Sequence, residues 1–210
     1  MDPKRRRLKI GQLVCIHDWS ESKQARFETE TGSLTRADFM QVLSETSSRP
    51  RNCDLDGLAG WMRAHPDKRI VTDIKTDAVK GHQLIAMRHP DLLGQFIPQA
   101  YQPEEIAILK ALGFSDVIWT LHKFPRDEQT ILDAALIHQP SAITMPLEWA
   151  QTGSLETIRA GSKLPVLVHT INDLNSATCL KQLGAAAIYS DDLDVEQFEA
   201  SANLDCKMGA

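Results

Sequence analysis

The sequence lacks a long hydrophobic run, an excess of positive charge and a dinucleotide-binding fingerprint. No apolar stretch approaches the roughly 20 residues that a membrane-spanning helix needs, so no membrane segment is expected in this chain. The beginning of the chain lacks the apolar region of a signal peptide. A net charge of -5 argues against nucleic acid as a partner, because domains that bind it are more often basic.

The sequence also contains few cysteines, only four in 210 residues. Cys15, Cys53, Cys179 and Cys206 lie far apart and match no metal-binding spacing. They are therefore expected to be reduced thiols, which favours a cytoplasmic location for the chain as written. A full-length parent could be exported or anchored to a membrane, because any signal for either would lie upstream.

The 42% of residues that are hydrophobic suffice for one sizeable core in a chain of 210 residues. Residues 1–9 form a basic cluster, which is expected to be a disordered, solvated start or the product of a misplaced start site. Such clusters can also act as a nuclear address or an anion-binding patch. Residues 10–198 are expected to form the folded domain, and residues 199–210 a polar tail.

From Arg69 onward the sequence repeats one unit, a short apolar strand followed by an amphipathic helix. Pro103 followed by Glu104 and Glu105 is typical of a helix start, and Gly113 is typical of a helix end. The predicted strands are Ile70–Ile74, Gln95–Gln99, Asp116–Thr120, Ala142–Met145, Val166–Thr170 and Ala186–Ser190.

Alternating apolar strands and helices predict a parallel sheet covered by helices. Near-equal units without a G-x-G-x-x-G motif favour an α/β fold of the TIM type, a (β/α) barrel, over a dinucleotide-binding sheet. Six predicted strands are two short of a barrel's eight, so we expect an incomplete barrel with an N-terminal strand, Leu13–Ile16, as an arm. The open edge of such a barrel favours association with a second copy of the chain.

Asp73 and Lys75 stand at alternate positions where the first repeating strand ends, so their side chains should share one face. In parallel barrels this end of the strands carries the chemistry. A carboxylate can bind a hard divalent cation and an ammonium can bind phosphate, although a structural ion pair is equally compatible with the pattern. Gln99 ends the next predicted strand and is a candidate supporting residue.

Several other polar residues end strands or helices. His169 is expected to be a hydrogen-bonded wall residue, and His122 a solvated loop residue. Asp191 and Asp192 are expected to cap the last helix. The remaining histidines that we expect to be solvated on helix ends or surfaces are His65, His82, His89 and His138.

Four segments together resemble the glycerophosphodiester phosphodiesterase family, whose members are phospholipase-C-like phosphodiesterase barrels. They are an apolar strand ending in His-Asp at Gly11–Asp18, then Thr72–Lys75, Val168–Asp173 and Leu183–Asp192. The corresponding family motifs are a strand ending in His-Asp, a Glu-x-Lys strand, a Trp-Thr-Val-Asn strand and a closing Gly-Val-x-x-Ile-x-Thr-Asp strand. Their order and spacing carry the resemblance more than any single motif does.

The resemblance implies metal-dependent hydrolysis of a phosphodiester, typically glycerol phosphate joined to an alcohol. His17 matches a catalytic histidine of the family, and Asp18 follows it as a supporting residue. Asp73 matches the glutamate that binds the divalent cation, Mg²⁺ or Ca²⁺, and Lys75 matches the lysine near the phosphate. His169 stands where the family commonly has tryptophan, so the resemblance makes it a wall of the substrate pocket.

The sequence departs from the family pattern in two ways. It has neither the His-Arg strand that supplies the other catalytic histidine nor the Glu-x-Asp strand that supplies two metal ligands, and Asp73 replaces a glutamate. These absent motifs coincide with the two missing barrel strands, so an N-terminal truncation is expected. The chain is then expected to hydrolyse phosphodiesters poorly, or to be an inactive fragment that binds phosphorylated ligands or a partner chain.

Overall fold

The computed structural model describes residues 13–15, 53–75, 77–200 and 206. These residues belong to two compact units. The first unit contains the described residues up to 69 together with 83–95, and the second contains 70–82, except the undescribed residue 76, and the described residues from 96 onward.

Six parallel strands form the sheet of the second unit, in which each strand pairs with the next along the chain. The strands are β1 Ile70–Thr72, β2 Phe96–Ala100, β3 Ile118–Thr120, β4 Ala142–Pro146, β5 Val166–His169 and β6 Ala187–Ile188. All six lie within one or two residues of the predicted positions. The sheet is a half-barrel, which confirms the expected incomplete TIM-type (β/α) barrel.

Helices alternate with these strands. They are α1 Leu55–Ala64, α2 Ala78–Arg88, α3 Glu104–Ala111, α4 Glu128–His138, α5 Leu147–Gln151, α6 Ser154–Ser162, α7 Leu174–Gln182 and α8 Val195–Ala200. A single 3₁₀ turn, Pro90–Leu92, follows α2. Among the described helices, none has the length and apolar character needed to cross a bilayer.

Short-range hydrogen bonds fix where several helices begin. Asp127 and Asp173 are the N-caps of α4 and α7, and each carboxylate accepts a hydrogen bond from a backbone N–H three residues on. Gly184 follows α7 with φ of +93°, a conformation that glycine adopts without steric cost. A Cβ at this position would lie 2.6 Å from Nε of Arg159, so a larger residue would also displace the end of that side chain.

The core lies between the sheet and its helices, and burial alternates along β2 and β5, the strands that flank the central pair. In β2, Phe96, Pro98 and Ala100 are buried, whereas Ile97 and Gln99 are half-buried. β5 shows the same alternation, while every residue of the central strands β3 and β4 is buried. The half-buried positions therefore lie on the opposite face of the sheet from the helix-covered one.

In the first unit, α1 packs through Leu55, Ala59 and Met62 and has Asp54 as its N-cap, whose Oδ1 accepts a hydrogen bond from the Gly57 N–H at 2.8 Å. A short antiparallel bridge joins Val14 to Asp54.

Polar contacts join α1 to the segment that follows α2. The Arg63 guanidinium donates to both carboxylate oxygens of Asp91, at 2.9 and 3.0 Å. His89 is only 8% exposed and lies 3.2 Å from Asp56. The expectation that His89 is solvated is therefore wrong, because the 3₁₀ turn after α2 brings it against α1.

Both pairs of cysteines form disulfides. Cys15 is bonded to Cys53 in the first unit, and Cys179 is bonded to Cys206 in the second. No cysteine of the chain is free, so the expectation of reduced thiols is wrong. Disulfides persist mainly in oxidising environments. Reduced thiols therefore no longer support the expected cytoplasmic location.

His82, on α2, is completely buried, so the expectation that it is solvated is also wrong. Its Nδ1–H donates to the carbonyl of Ala78 at 2.7 Å, which leaves Nε2 to accept from the hydroxyl of Thr72 at 2.8 Å. Burial lowers the pKa of His82, while the bond to Ala78 and the charge of Glu105 oppose this shift. The neutral imidazole is thus the form that the fold stabilises.

Acid is expected to destabilise the fold through His82. The pKa of His82 in the folded state lies below its unfolded value of about 6.5. The contribution of neutral His82 to the free energy of unfolding is therefore complete above pH 6.5, and it is lost as the pH falls toward the folded-state pKa. The urea concentration at the unfolding midpoint should fall as the pH is lowered from 8 to 5. His82→Gln should make this midpoint depend less steeply on pH. His138→Asn is the control, and an unchanged slope in His82→Gln would contradict this account.

Candidate functional site

Polar side chains occupy the carboxyl ends of the strands in the second unit. Asp73 follows β1, Tyr101 follows β2, His122 follows β3, His169 ends β5 and Tyr189 follows β6. Parallel neighbouring strands end at the same edge of a sheet, so these side chains share one rim.

The carboxylate of Asp73 has two partners within this rim. The hydroxyl of Tyr101 donates to Oδ1 at 2.5 Å, and Nζ of Lys75 lies 3.7 Å from Oδ2. The structure therefore brings Asp73 and Lys75 together, as their alternate spacing predicts. Their side chains are 38% and 44% exposed, so the ion pair itself contributes at most about 1 kcal/mol to stability.

Tyr101 is a member of this cluster that the sequence places at a strand end but to which it assigns no role. Burial and the neighbouring carboxylate of Asp73 raise its pKa far above the usual value, so its hydroxyl remains a hydrogen-bond donor at neutral pH. Its backbone N–H donates to the carboxylate of Glu105 at 2.8 Å, which anchors it to α3. Nζ of Lys123 lies 4.5 Å from the centre of its ring, in a cation–π contact.

His169 lies in the rim between β4 and β6. Its Nδ1 is 3.0 Å from the hydroxyl of Thr144, a residue of β4 that is completely buried. Its ring centre is 6.1 Å from that of His122 and 6.2 Å from that of Tyr189. Burial lowers the pKa of His169, and the neighbouring His122 lowers it further.

Tyr189 places a buried hydroxyl in the same region. Among the described residues this hydroxyl has no hydrogen-bond partner. Burial, followed by the negative charge of Asp73, raises its pKa to about 12, so the phenol is neutral at physiological pH. Its backbone is held on both sides, since its N–H donates to Val168 and its carbonyl accepts from Ile171.

Asn172 joins the loops after β5 and β6. Its Oδ1 accepts from the backbone N–H of Asp191 at 2.9 Å and from the hydroxyl of Ser190 at 3.2 Å, and its Nδ2 donates to Asp191. The expectation that Asp191 and Asp192 cap the last helix is therefore wrong. Asp194 has that role, since its carboxylate accepts from the Gln197 N–H at 2.8 Å.

Three other site residues were predicted from the sequence, namely His17, Asp18 and Gln99. His17 and Asp18 lie outside the described residues, so their proposed roles stay predictions. Gln99 is half-buried near the end of β2, two residues before Tyr101 and thus on the same face.

The described rim does not by itself form a site for Mg²⁺ or Ca²⁺. Such ions take six or more oxygen ligands, mainly from carboxylates, carbonyls and water. Within residues 13–15, 53–75, 77–200 and 206, no group of three or more His, Cys, Asp or Glu side chains is arranged to hold a metal. Asp73 is the carboxylate that the resemblance assigns to a metal, and Tyr101 and Lys75 already contact its two oxygens.

No family model and no curated protein matches the sequence. Solved structures do match it. A Galdieria sulphuraria protein assigned to the glycerophosphodiester phosphodiesterases is 15% identical with a TM-score of 0.61, covering 94% of this chain and 83% of that one. An Oleispira antarctica phosphodiesterase in complex with the product sn-glycerol-3-phosphate is 15% identical with a TM-score of 0.51, covering 73% and 62%.

The match extends over only part of some neighbours. A Silicibacter pomeroyi protein assigned to the same enzymes is 9% identical with a TM-score of 0.56, and the match covers 72% of this chain but 56% of that protein. At sequence identities this low, the structural similarity establishes a common fold. The chain thus has an incomplete barrel of the fold found in glycerophosphodiester phosphodiesterases, which confirms at the level of the fold the resemblance seen in its sequence.

Proposed function

We propose that this chain is a phosphoric diester hydrolase of the glycerophosphodiester phosphodiesterase type, metal-assisted and with histidine acid–base catalysis. The cluster of Asp73, Lys75 and Tyr101 is the observation that carries the proposal. It lies at the strand ends of a barrel whose structural neighbours are glycerophosphodiester phosphodiesterases. In barrels of this architecture, these ends are where catalytic residues gather.

The cluster offers positive charge to a phosphate. Lys75 lies beside the carboxylate of Asp73, and Lys123 lies over the ring of Tyr101, the hydrogen-bond donor to that carboxylate. Two ammonium groups around one carboxylate leave a net positive charge of one. We therefore assign Lys75 as the first phosphate contact and Lys123 as the second, with each acting as a point charge on a phosphoryl oxygen.

The substrate we propose is a glycerophosphodiester or a related phosphodiester. One structural neighbour holds sn-glycerol-3-phosphate as its product. Hydrolysis adds water across one P–O bond and releases a phosphomonoester and an alcohol. His17, which the resemblance assigns to catalysis, would donate a proton to the departing alkoxide oxygen as that bond breaks. His169 and Gln99 would line the substrate pocket, and Asp18 would support His17.

A divalent cation, when bound, would offset charge on the phosphoryl oxygens. Asp73 is the residue proposed to hold it, and the further ligands would have to come from outside the described residues. Addition of EDTA is expected to lower turnover, with recovery on adding Mg²⁺ or Ca²⁺, and EDTA-resistant turnover would contradict metal assistance.

A second function is binding without turnover, in which the half-barrel holds a phosphorylated ligand or a partner chain. The observation in its favour is that the described residues contain no group of three metal-binding side chains. The outer edges of β1 and β6 also have no strand partner within the described part of the chain. Open edges of this kind favour pairing with another chain, including a second copy of this one.

The experiment that separates the two functions compares Asp73→Asn with the wild-type chain on a chromogenic phosphodiester in the presence of Mg²⁺. Wild-type turnover is expected to be slow, and Asp73→Asn should lower it by about 100-fold because the site loses its charged oxygen ligand. Asp133→Asn is the matched control, since this carboxylate is exposed on α4, where it accepts a hydrogen bond from the Gln129 side chain. Equal rates for wild type and Asp73→Asn would contradict hydrolysis at this site.

A further inference from the structure

Two imidazoles, His122 and His169, lie side by side in the rim. Their ring centres are 6.1 Å apart and their planes are inclined by 65°. His122 is exposed on the loop after β3, whereas His169 is half-buried at the end of β5. The pair thus connects the inside of the rim with solvent. The resemblance to phosphodiesterases assigns no role to His122.

The hydroxyl of Thr144 fixes the orientation of the inner imidazole. It lies 3.0 Å from Nδ1 of His169, and Thr144 is completely buried in β4, the strand between those that carry the two histidines. A hydroxyl can either donate or accept a hydrogen bond, so this contact is compatible with neutral and protonated imidazole alike. Nε2 of His169 is left as the nitrogen that exchanges protons.

We propose that His169 is the base that accepts a proton from the attacking water, and that His122 relays this proton to solvent. This inference rests on the proposed phosphodiester hydrolysis and adds two residues to it. Across a ring separation of 6.1 Å, a positive charge on His122 disfavours a proton on His169, which favours release of that proton from His169 once it has been accepted. In this proposal, one water bridges the two imidazoles and carries the proton between them.

The charges around His169 are consistent with a base. Burial and the nearby His122 both favour its neutral form, which is the form that accepts a proton. Glu148, after β4, and Asp73, after β1, act in the opposite direction and stabilise the proton once it arrives. Tyr189 is the remaining ionisable neighbour, and its phenol stays neutral at physiological pH.

The proton count of the proposed reaction balances. As the oxygen of water bonds to phosphorus, one water proton passes to Nε2 of His169, and the other remains on the new P–OH group. The P–O bond to the alcohol breaks, and its electron pair stays on the alkoxide oxygen, which takes a proton from His17. His169 then passes its proton through His122 to solvent, and solvent reprotonates His17.

The pairing is tested first without any activity measurement, by NMR titration of the histidine Cε1–H resonances in wild type and His122→Asn. The titration midpoint of His169 should move to higher pH in His122→Asn, because a nearby positive charge has been removed. His138→Asn is the matched control and should leave the midpoint unchanged. An unchanged midpoint in His122→Asn would show that the imidazoles do not interact and would overturn the pair.

The catalytic role is tested by the pH dependence of kcat/KM. The acid limb should move to higher pH in His122→Asn, and His169→Asn should lower kcat/KM by about 100-fold. A shift in the NMR titration with no shift in the acid limb would overturn the role of His169 as the base. Absence of turnover in the wild-type chain would overturn the proposed function and this catalytic step together, while the NMR result would still decide the pairing.

Discussion

Lys75→Ala is expected to lower kcat/KM for a phosphodiester by about 100-fold or more. The ammonium of Lys75 lies 3.7 Å from the carboxylate of Asp73, and loss of a group that stabilises developing phosphoryl charge has an effect of this size. Lys123→Ala should have a smaller effect, because the ammonium of Lys123 contacts the face of the Tyr101 ring.

Lys80→Ala is the matched control for these two variants. Lys80 is 73% exposed and pairs with Asp77 at 2.6 Å, so its removal deletes the same charge away from the rim. Steady-state kinetics of all three variants at one salt concentration, with thermal unfolding to confirm folding, would measure the effect. Similar losses in Lys75→Ala and Lys80→Ala would show a general charge effect and would contradict a phosphate contact at Lys75.

Removing either disulfide is expected to destabilise the fold by about 4 kcal/mol. Cys15 and Cys53 are 38 residues apart, and Cys179 and Cys206 are 27 apart. Each bond therefore closes a long loop and reduces the conformational entropy of the unfolded chain. Urea unfolding of Cys15→Ser/Cys53→Ser and of Cys179→Ser/Cys206→Ser would measure the loss for each bond separately.

A reductant provides the control for the disulfide prediction. It should destabilise the wild-type chain and leave the variant lacking all four cysteines unaffected. Thiol titration of the native protein should find no free thiol before reduction. Four reactive thiols in the folded, unreduced protein would contradict both bonds and restore the sequence-based expectation.

The sheet was predictable from the sequence because local patterns determine it. Runs such as Ile70–Thr72 and Val166–Val168 are rich in β-branched residues, and helix signals such as Pro103 and Gly113 lie between them. The ends of the strands were less predictable. β1 ends at Thr72, two residues before its predicted end, because its pairing with β2 stops at Thr72.

The features that the sequence did not reveal all depend on contacts between different helices, strands or loops. His82 resembles a surface histidine until Thr72, ten residues earlier, is placed 2.8 Å from its Nε2. The cysteine pairs have no recognisable spacing, so only the fold shows which residues meet. Tyr101 directly follows β2, but its role depends on the position of Asp73, 28 residues away in the chain.

The candidate site was predictable in part for the same reason. Two side chains at alternate positions, Asp73 and Lys75, were placed together correctly, because their relation is local. The meeting of His122 and His169 was not foreseen, since it joins loops from β3 and β5, and only the order of the strands brings those loops together.

The most direct test of the central proposal follows a glycerophosphodiester by ³¹P NMR during incubation with the wild-type chain, Mg²⁺ and, in parallel, Asp73→Asn. We predict that the diester resonance is slowly replaced by that of a phosphomonoester, and that Asp73→Asn suppresses this change. An unchanged diester resonance under conditions where the folded chain binds sn-glycerol-3-phosphate would contradict hydrolysis and leave ligand binding as the function of this rim.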